Sequence, residues 1–78
     1  MTQEDVLAIA NLAGLNISSI IPHPDGSATA LHFHYHQNDL TLFYIDTHWT
    51  YVFTKGSTTR GNVTSVKQVV ELMTELAT

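Results

Sequence analysis

The chain has 78 residues, with three Lys and Arg against seven Asp and Glu and no cysteine. The missing cysteine excludes disulfides and Cys-ligated zinc, and the acidic balance is unfavourable for binding a nucleic-acid backbone. No stretch is apolar enough to span a bilayer, and the first residues lack the basic start of a secretory signal. We therefore expect one small cytoplasmic domain over residues 1–78 that binds neither nucleic acid nor membrane.

The first predicted element is a helix over roughly residues 3–13. Thr2 and Asp5 have the spacing of a capping box, with Asp in the position where Glu or Gln is commoner. Apolar residues then recur at helical spacing, and Gly14 is a natural C-terminal stop. The apolar positions are Val6, Ile9, Ala10 and Ala13.

Four strands are predicted next, over residues 17–22, 28–36, 40–45 and 48–54. The turn signals between them are His23-Pro24-Asp25-Gly26, Asn38-Asp39 and Asp46-Thr47. The stretch from Lys55 to Gly61 contains two glycines and no apolar residue, so we expect a mobile loop there.

A second helix is predicted at the C-terminal end, with Asn62 or Thr64 as its N-cap. Its apolar stripe is the most regular periodicity in the chain and indicates a face that is buried against a partner layer. The stripe consists of Val66, Val69, Val70, Met73, Leu76 and Ala77.

The turns predict the register of the sheet. Two-residue loops at Asn38-Asp39 and Asp46-Thr47 pair Phe33 with Tyr44, and Tyr44 with Trp49. The two assignments agree on a single apolar and aromatic face, which the two helices must cover. That face comprises Leu31, Phe33, Tyr35, Leu40, Leu42, Tyr44, Trp49, Tyr51 and Phe53.

These elements define the predicted fold class, α+β. A four-stranded antiparallel meander, order 1-2-3-4, carries the N- and C-terminal helices on one face, giving the element order α-β-β-β-β-α.

The opposite face of the sheet is the unusual feature of this sequence. Residues 32–36 read His-Phe-His-Tyr-His, and alternation along a strand places His32, His34 and His36 together on the uncovered side. The predicted register adds polar and apolar neighbours but no formal charge at neutral pH, a composition typical of a buried interface. The neighbours are Ser18, Ile20, Thr41, Phe43, Ile45, His48, Thr50 and Val52.

The sequence therefore favours a small non-enzymatic protein-interaction domain that associates through this face. A homodimer is the simplest form, and an inhibitor or adaptor that binds a partner protein would use the same surface. The predicted interface residues are His32, His34, His36, Phe43, Ile45, His48, Thr50 and Val52. No catalytic residues are predicted, because no nucleophile is placed beside a base and no two carboxylates share an identifiable face.

Two other uses of the histidines stay open. His32, His34 and His36 form the pattern of a transition-metal site for zinc or nickel, since ring nitrogens two residues apart on a strand can share one ion. The predicted register supplies no third ligand from a neighbouring strand, so we expect no cofactor, with zinc as the candidate if there is one. Neighbouring imidazoles also suit proton sensing, in which acid weakens a dimer.

Overall fold

The computed structural model describes residues 1–26 and 28–78. Five strands form one antiparallel sheet in the order β1-β2-β3-β4-β5, with a helix before the first strand and another after the last. The α+β class and the meander are confirmed, and the sheet has one strand more than predicted. The elements are α1 (Gln3–Leu12), β1 (Ile17–Pro22), β2 (Ala28–Tyr35), β3 (Asn38–Ile45), β4 (His48–Lys55), β5 (Ser57–Asn62) and α2 (Val66–Leu76).

The fifth strand corrects the prediction of a mobile loop. The chain reverses at Gly56, which has a positive φ of 79°, and Lys55 then pairs with Ser57. β5 is exposed along nearly its whole length, so its sequence has no apolar alternation to detect.

A glycine in β5 is explained by its partner in β4. Gly61 pairs with Tyr51, and a Cβ atom at Gly61 would lie 3.2 Å from the Tyr51 ring. The ring needs the space that glycine leaves, and a glycine that the sequence pattern assigns to a loop is here a strand residue.

Both helices begin at side-chain caps. Thr2 and Asp5 form the predicted capping box: the Thr2 hydroxyl accepts from the Asp5 amide, and the Asp5 carboxylate accepts from the Thr2 amide. The cap of α2 is Ser65 rather than Asn62 or Thr64, and its hydroxyl accepts from the Gln68 amide. Neither helix, within the described residues, has the length and hydrophobicity needed to cross a bilayer.

The core lies between the helices and the predicted aromatic face of the sheet. Phe33, on that face, is fully buried in one cluster with residues from both helices. The helices therefore cover the face that alternation assigned to them, and two layers enclose one core. The buried cluster consists of Val6, Ala10, Leu15, Leu31, Phe33, Leu40, Leu42, Trp49, Phe53, Val69, Met73 and Leu76.

The predicted register of the β3–β4 hairpin is confirmed, and that of the β2–β3 hairpin is wrong. Tyr44 pairs with Trp49 as predicted, but Phe33 pairs with Leu40 instead of Tyr44. The turn before β3 lies at residues 36–37, two positions earlier than expected. A shift by an even number of residues keeps every side chain on its predicted face, so the predicted core is unchanged.

The turn between β3 and β4 gives the first testable prediction. Asp46 and Thr47 have positive φ values of 51° and 65°, which a two-residue hairpin of type I′ requires. A β-branched residue is strained in that region, so we expect Thr47→Gly to stabilise the fold by roughly 0.5–1 kcal/mol. Urea unfolding measures the change, and a loss of stability in Thr47→Gly would contradict this account of the turn.

Candidate interaction face

The side of the sheet opposite the helices is called the open face. Cross-strand pairing arranges its residues in four rows, each running from the β1 or β2 side towards β5. In strand order the rows are His34-Asp39-Thr54-Thr58, Ser19-His32-Thr41-Val52-Arg60, Ile21-Ala30-Phe43-Thr50-Asn62 and Ala28-Ile45-His48.

Seven of the eight predicted interface residues lie on the open face. His32 and His34 belong to β2, and the remaining five belong to β3 and β4. The register brings them side by side: Phe43 pairs with Thr50, and Ile45 with His48. The seven are His32, His34, Phe43, Ile45, His48, Thr50 and Val52.

His36 is the exception, and the predicted row of three imidazoles is wrong at this position. β2 ends at Tyr35, and His36 has a positive φ of 55° in the following turn. Its ring packs edge-on against the Tyr35 ring, with centroids 4.3 Å apart. A turn residue with this backbone leaves the alternation of the strand, so His36 does not extend the His32–His34 pair.

The contribution of β1 also differs from the prediction. The β1–β2 register shifts between Ile17 and Ser19, as in a β-bulge, and the hydroxyl of Ser18 accepts a hydrogen bond from the His34 amide. Beyond this irregularity Ile20 pairs with Leu31, a core residue, and Ile21 pairs with Ala30. Ile21 therefore replaces Ile20 on the open face.

Asp39 joins the two histidines, although the predicted register has no carboxylate near them. His32 Nε2 and His34 Nδ1 each lie 2.8 Å from the same oxygen, Oδ1 of Asp39. Asp39 pairs with His34 because the β2–β3 hairpin turns two residues earlier than predicted. A two-residue loop placed at residues 36–37 of the sequence would have predicted this contact. These three residues are called the imidazole–carboxylate cluster.

The cluster holds the pKa of the Asp39 carboxyl below its usual value of 3.8, because the carboxylate accepts hydrogen bonds from His34 and His32. A carboxyl whose pKa is lowered by folding stabilises the folded state above its unfolded pKa. That contribution is lost as the pH falls through the lowered, folded pKa. The cluster therefore contributes stability at neutral pH and none in strong acid.

We expect Asp39→Asn to lower the free energy of unfolding by less than about 1 kcal/mol at neutral pH, since solvent screens this partly exposed group. The difference from wild type should shrink as the pH falls below 3.8. Urea unfolding across that range measures it, with Glu71→Gln as the control for loss of one surface carboxylate. A difference that persists undiminished in acid would contradict the electrostatic explanation.

An apolar corner occupies the opposite end of the open face. Ile21 and Ile45 are 60% and 47% exposed, and Phe43 between them is half-buried. The adjoining Pro22-His23-Pro24 segment forms one side of a groove of about 240 Å³ over these residues. The apolar corner is defined by Ile21, Ala28, Ala30, Phe43 and Ile45.

The open face carries two formal charges, and the expectation of none is wrong. Asp39 lies on β3, and Arg60 lies at the β5 edge in the same row as His32. Among the described residues Arg60 makes no ion pair. Because these charges cancel, the formal net charge of −4 belongs to the rest of the chain.

The predicted metal set is not assembled, since His36 leaves the strand. In the part of the chain that the structure describes, no group of three or more His, Cys, Asp or Glu side chains is arranged to hold a metal ion. Two ring nitrogens already share one Asp39 oxygen, which gives these imidazoles a protein partner.

Comparisons with known proteins place no further constraint on the face. No family model, no curated protein and no solved structure matches the chain.

Proposed function

We propose that this chain is a small non-enzymatic protein-interaction domain that pairs with a second copy of itself through the open face. The observation that carries the proposal is the composition of that face. An exposed apolar corner and one balanced pair of charges lie on the side of the sheet that neither helix covers. Exposed apolar patches of this kind mark interaction sites.

Charge favours a second copy as the occupant. Two chains that each carry a formal net charge of −4 repel one another over most of their surfaces. The open face is neutral, with Asp39 balanced by Arg60, so two copies meet there at the least electrostatic cost. Each copy also offers the partner both a cation and an anion.

The area of the face suits a dimer. Four spacings of about 4.8 Å between strands and three same-face steps of about 6.8 Å along them give a grid of roughly 19 by 20 Å. With the side chains at its margins, each copy contributes on the order of 600 Å². Two copies then bury about 1,200 Å², the lower end of specific interfaces.

The imidazole–carboxylate cluster supports binding rather than catalysis. Asp39 accepts from both rings, and neither ring is hydrogen-bonded to a hydroxyl group of the described residues. An acid–base pair without a nucleophile has no means of covalent catalysis. Two imidazoles held by a carboxylate instead present an ordered polar margin beside an apolar patch, as interfaces require.

NMR spectra of the ¹⁵N-labelled protein at micromolar and millimolar concentrations test the proposal. We expect concentration-dependent shifts at amides of the open face, including Thr41, Phe43 and Ile45, and none along α2. Shifts confined to the helices would move the interface elsewhere. Identical spectra would leave no self-association to explain, and a heterologous protein or a metal ion would then be the occupant to seek.

A further inference from the structure

The arrangement of the two charges on the open face indicates how two copies meet, an inference that rests on the proposed homodimer. The grid of the face is nearly square. Arg60 lies two strands from Asp39 and one row further along, about 9.6 Å across and 6.8 Å along the strands. One diagonal of the grid runs from the apolar corner to the opposite corner, where Thr58 lies.

A closed dimer of two identical faces has a two-fold axis in the plane between them. With full overlap, the axis runs along the strands, across them, or along one of the two diagonals. Each choice brings different residues into opposition, because a rotation about an axis in that plane reflects the grid across the axis.

Three of these four axis directions bring groups of the two copies together unfavourably. An axis along the strands through β3 places each Asp39 against the Asp39 of the other copy, and like charges repel. An axis across the strands lays Asp39 over Ile45. The diagonal through the His34 end lays Arg60 over Ala28. In the last two arrangements a formal charge is buried against apolar residues of the other copy, which offer it no countercharge.

The remaining diagonal satisfies both the charges and the apolar corner. This diagonal runs from the apolar corner towards Thr58. A two-fold rotation about it lays the strands of one copy across the strands of the other. Arg60 of one copy then falls about 3–4 Å, in projection, from the grid position of Asp39 on the other. The apolar corner of one copy then packs against the apolar corner of the other, with Ile21 over Ala28.

We infer that two copies pack their open faces with strands crossed at near right angles, and that Arg60 of each copy pairs with Asp39 of the other. Crossed sheets of this kind are one of the two common modes of sheet packing. In this arrangement the open face is self-complementary in charge, and its apolar corner packs against the same corner of the other copy.

The hydrogen bonds of the cluster prepare Asp39 for this role. Both imidazoles bond to Oδ1, and Oδ2 accepts from no group in the described residues. Arg60 is exposed and has no ion-pair partner within that part of its own chain. An oriented carboxylate with a free oxygen and an unpaired guanidinium are the complementary halves of a charge-assisted hydrogen bond.

A charge exchange tests the pairing. Arg60→Glu and Asp39→Lys, each alone, should raise the dimer Kd at least about tenfold. In each homodimer, positions 60 and 39 of opposite copies then carry charges of the same sign. An equimolar mixture should recover wild-type affinity. In the mixed dimer the carboxylate introduced at position 60 of one chain meets the ammonium introduced at position 39 of the other, and the second contact remains Arg60 with Asp39. Lys67→Glu, an exposed charge reversal on α2, is the matched control and should leave the Kd unchanged.

The outcomes separate this inference from the proposed function. If either reversal leaves the Kd unchanged, or if two folded variants fail to recover affinity on mixing, the Arg60–Asp39 pairing is overturned while the homodimer stands. If the wild-type protein is monomeric at millimolar concentration, both are overturned. Recovery on mixing also shows that both variants fold, since only folded faces present these charges to one another.

Discussion

The double substitution Phe43→Glu with Ile45→Lys should convert the protein to a monomer, raising the dimer Kd by at least about 100-fold. Both side chains belong to the apolar corner, and the substitutions place charged groups where the partner's apolar residues pack. The fold should persist, because neither residue belongs to the buried cluster. Sedimentation velocity across a dilution series measures the Kd, and circular dichroism verifies the fold.

The control applies the same substitutions to the helical layer. Leu12 is 88% exposed and Val70 is 44% exposed, so Leu12→Glu with Val70→Lys removes comparable apolar surface from the other side of the molecule. This control should retain the wild-type Kd. Equal loss of association in both double variants would contradict the assignment of the interface to the open face.

The largest expected loss of stability comes from Phe33→Ala, at about 3–5 kcal/mol. Phe33 is fully buried in the core, where removal of the ring leaves a cavity. A domain of this size has a total stability of roughly 4–12 kcal/mol, so the variant should lose between about a quarter and all of it. Urea unfolding followed by circular dichroism measures the difference.

Phe43→Ala is the matched control for Phe33→Ala. The same truncation on the open face should cost less than about 1.5 kcal/mol, because Phe43 is only half-buried and no helix covers it. The comparison is made at low protein concentration, where the monomer dominates. Similar losses in the two variants would contradict the assignment of alternate residues to a core side and an open side.

Alternation along the strands was sufficient to predict the core. Phe33, Leu42 and Trp49 all lie on the buried face as expected, even though one hairpin turns at a different place. The period of two is insensitive to an even shift in register, so the face of a residue is better determined by sequence than its partner is. For the same reason Phe43 and Ile45 lie on their expected side.

The contacts within the open face depend on what sequence patterns leave undetermined. Asp39 was assigned to a turn because Asn-Asp is a common turn pair, whereas the positive φ of His36 places the turn earlier. The irregularity at Ser18 exchanged Ile20 for Ile21, and neither residue type reveals a bulge. Arg60 was missed because β5 has polar residues on both sides and therefore no periodic signal.

Sedimentation equilibrium of the unmodified protein, from micromolar to millimolar concentration, tests the self-association through the open face most directly. The proposed homodimer predicts a mass that rises from the 8.6 kDa of one chain towards twice that value, equally with added zinc and with a chelator. A mass of 8.6 kDa at every concentration, or a doubling that requires zinc, would contradict it.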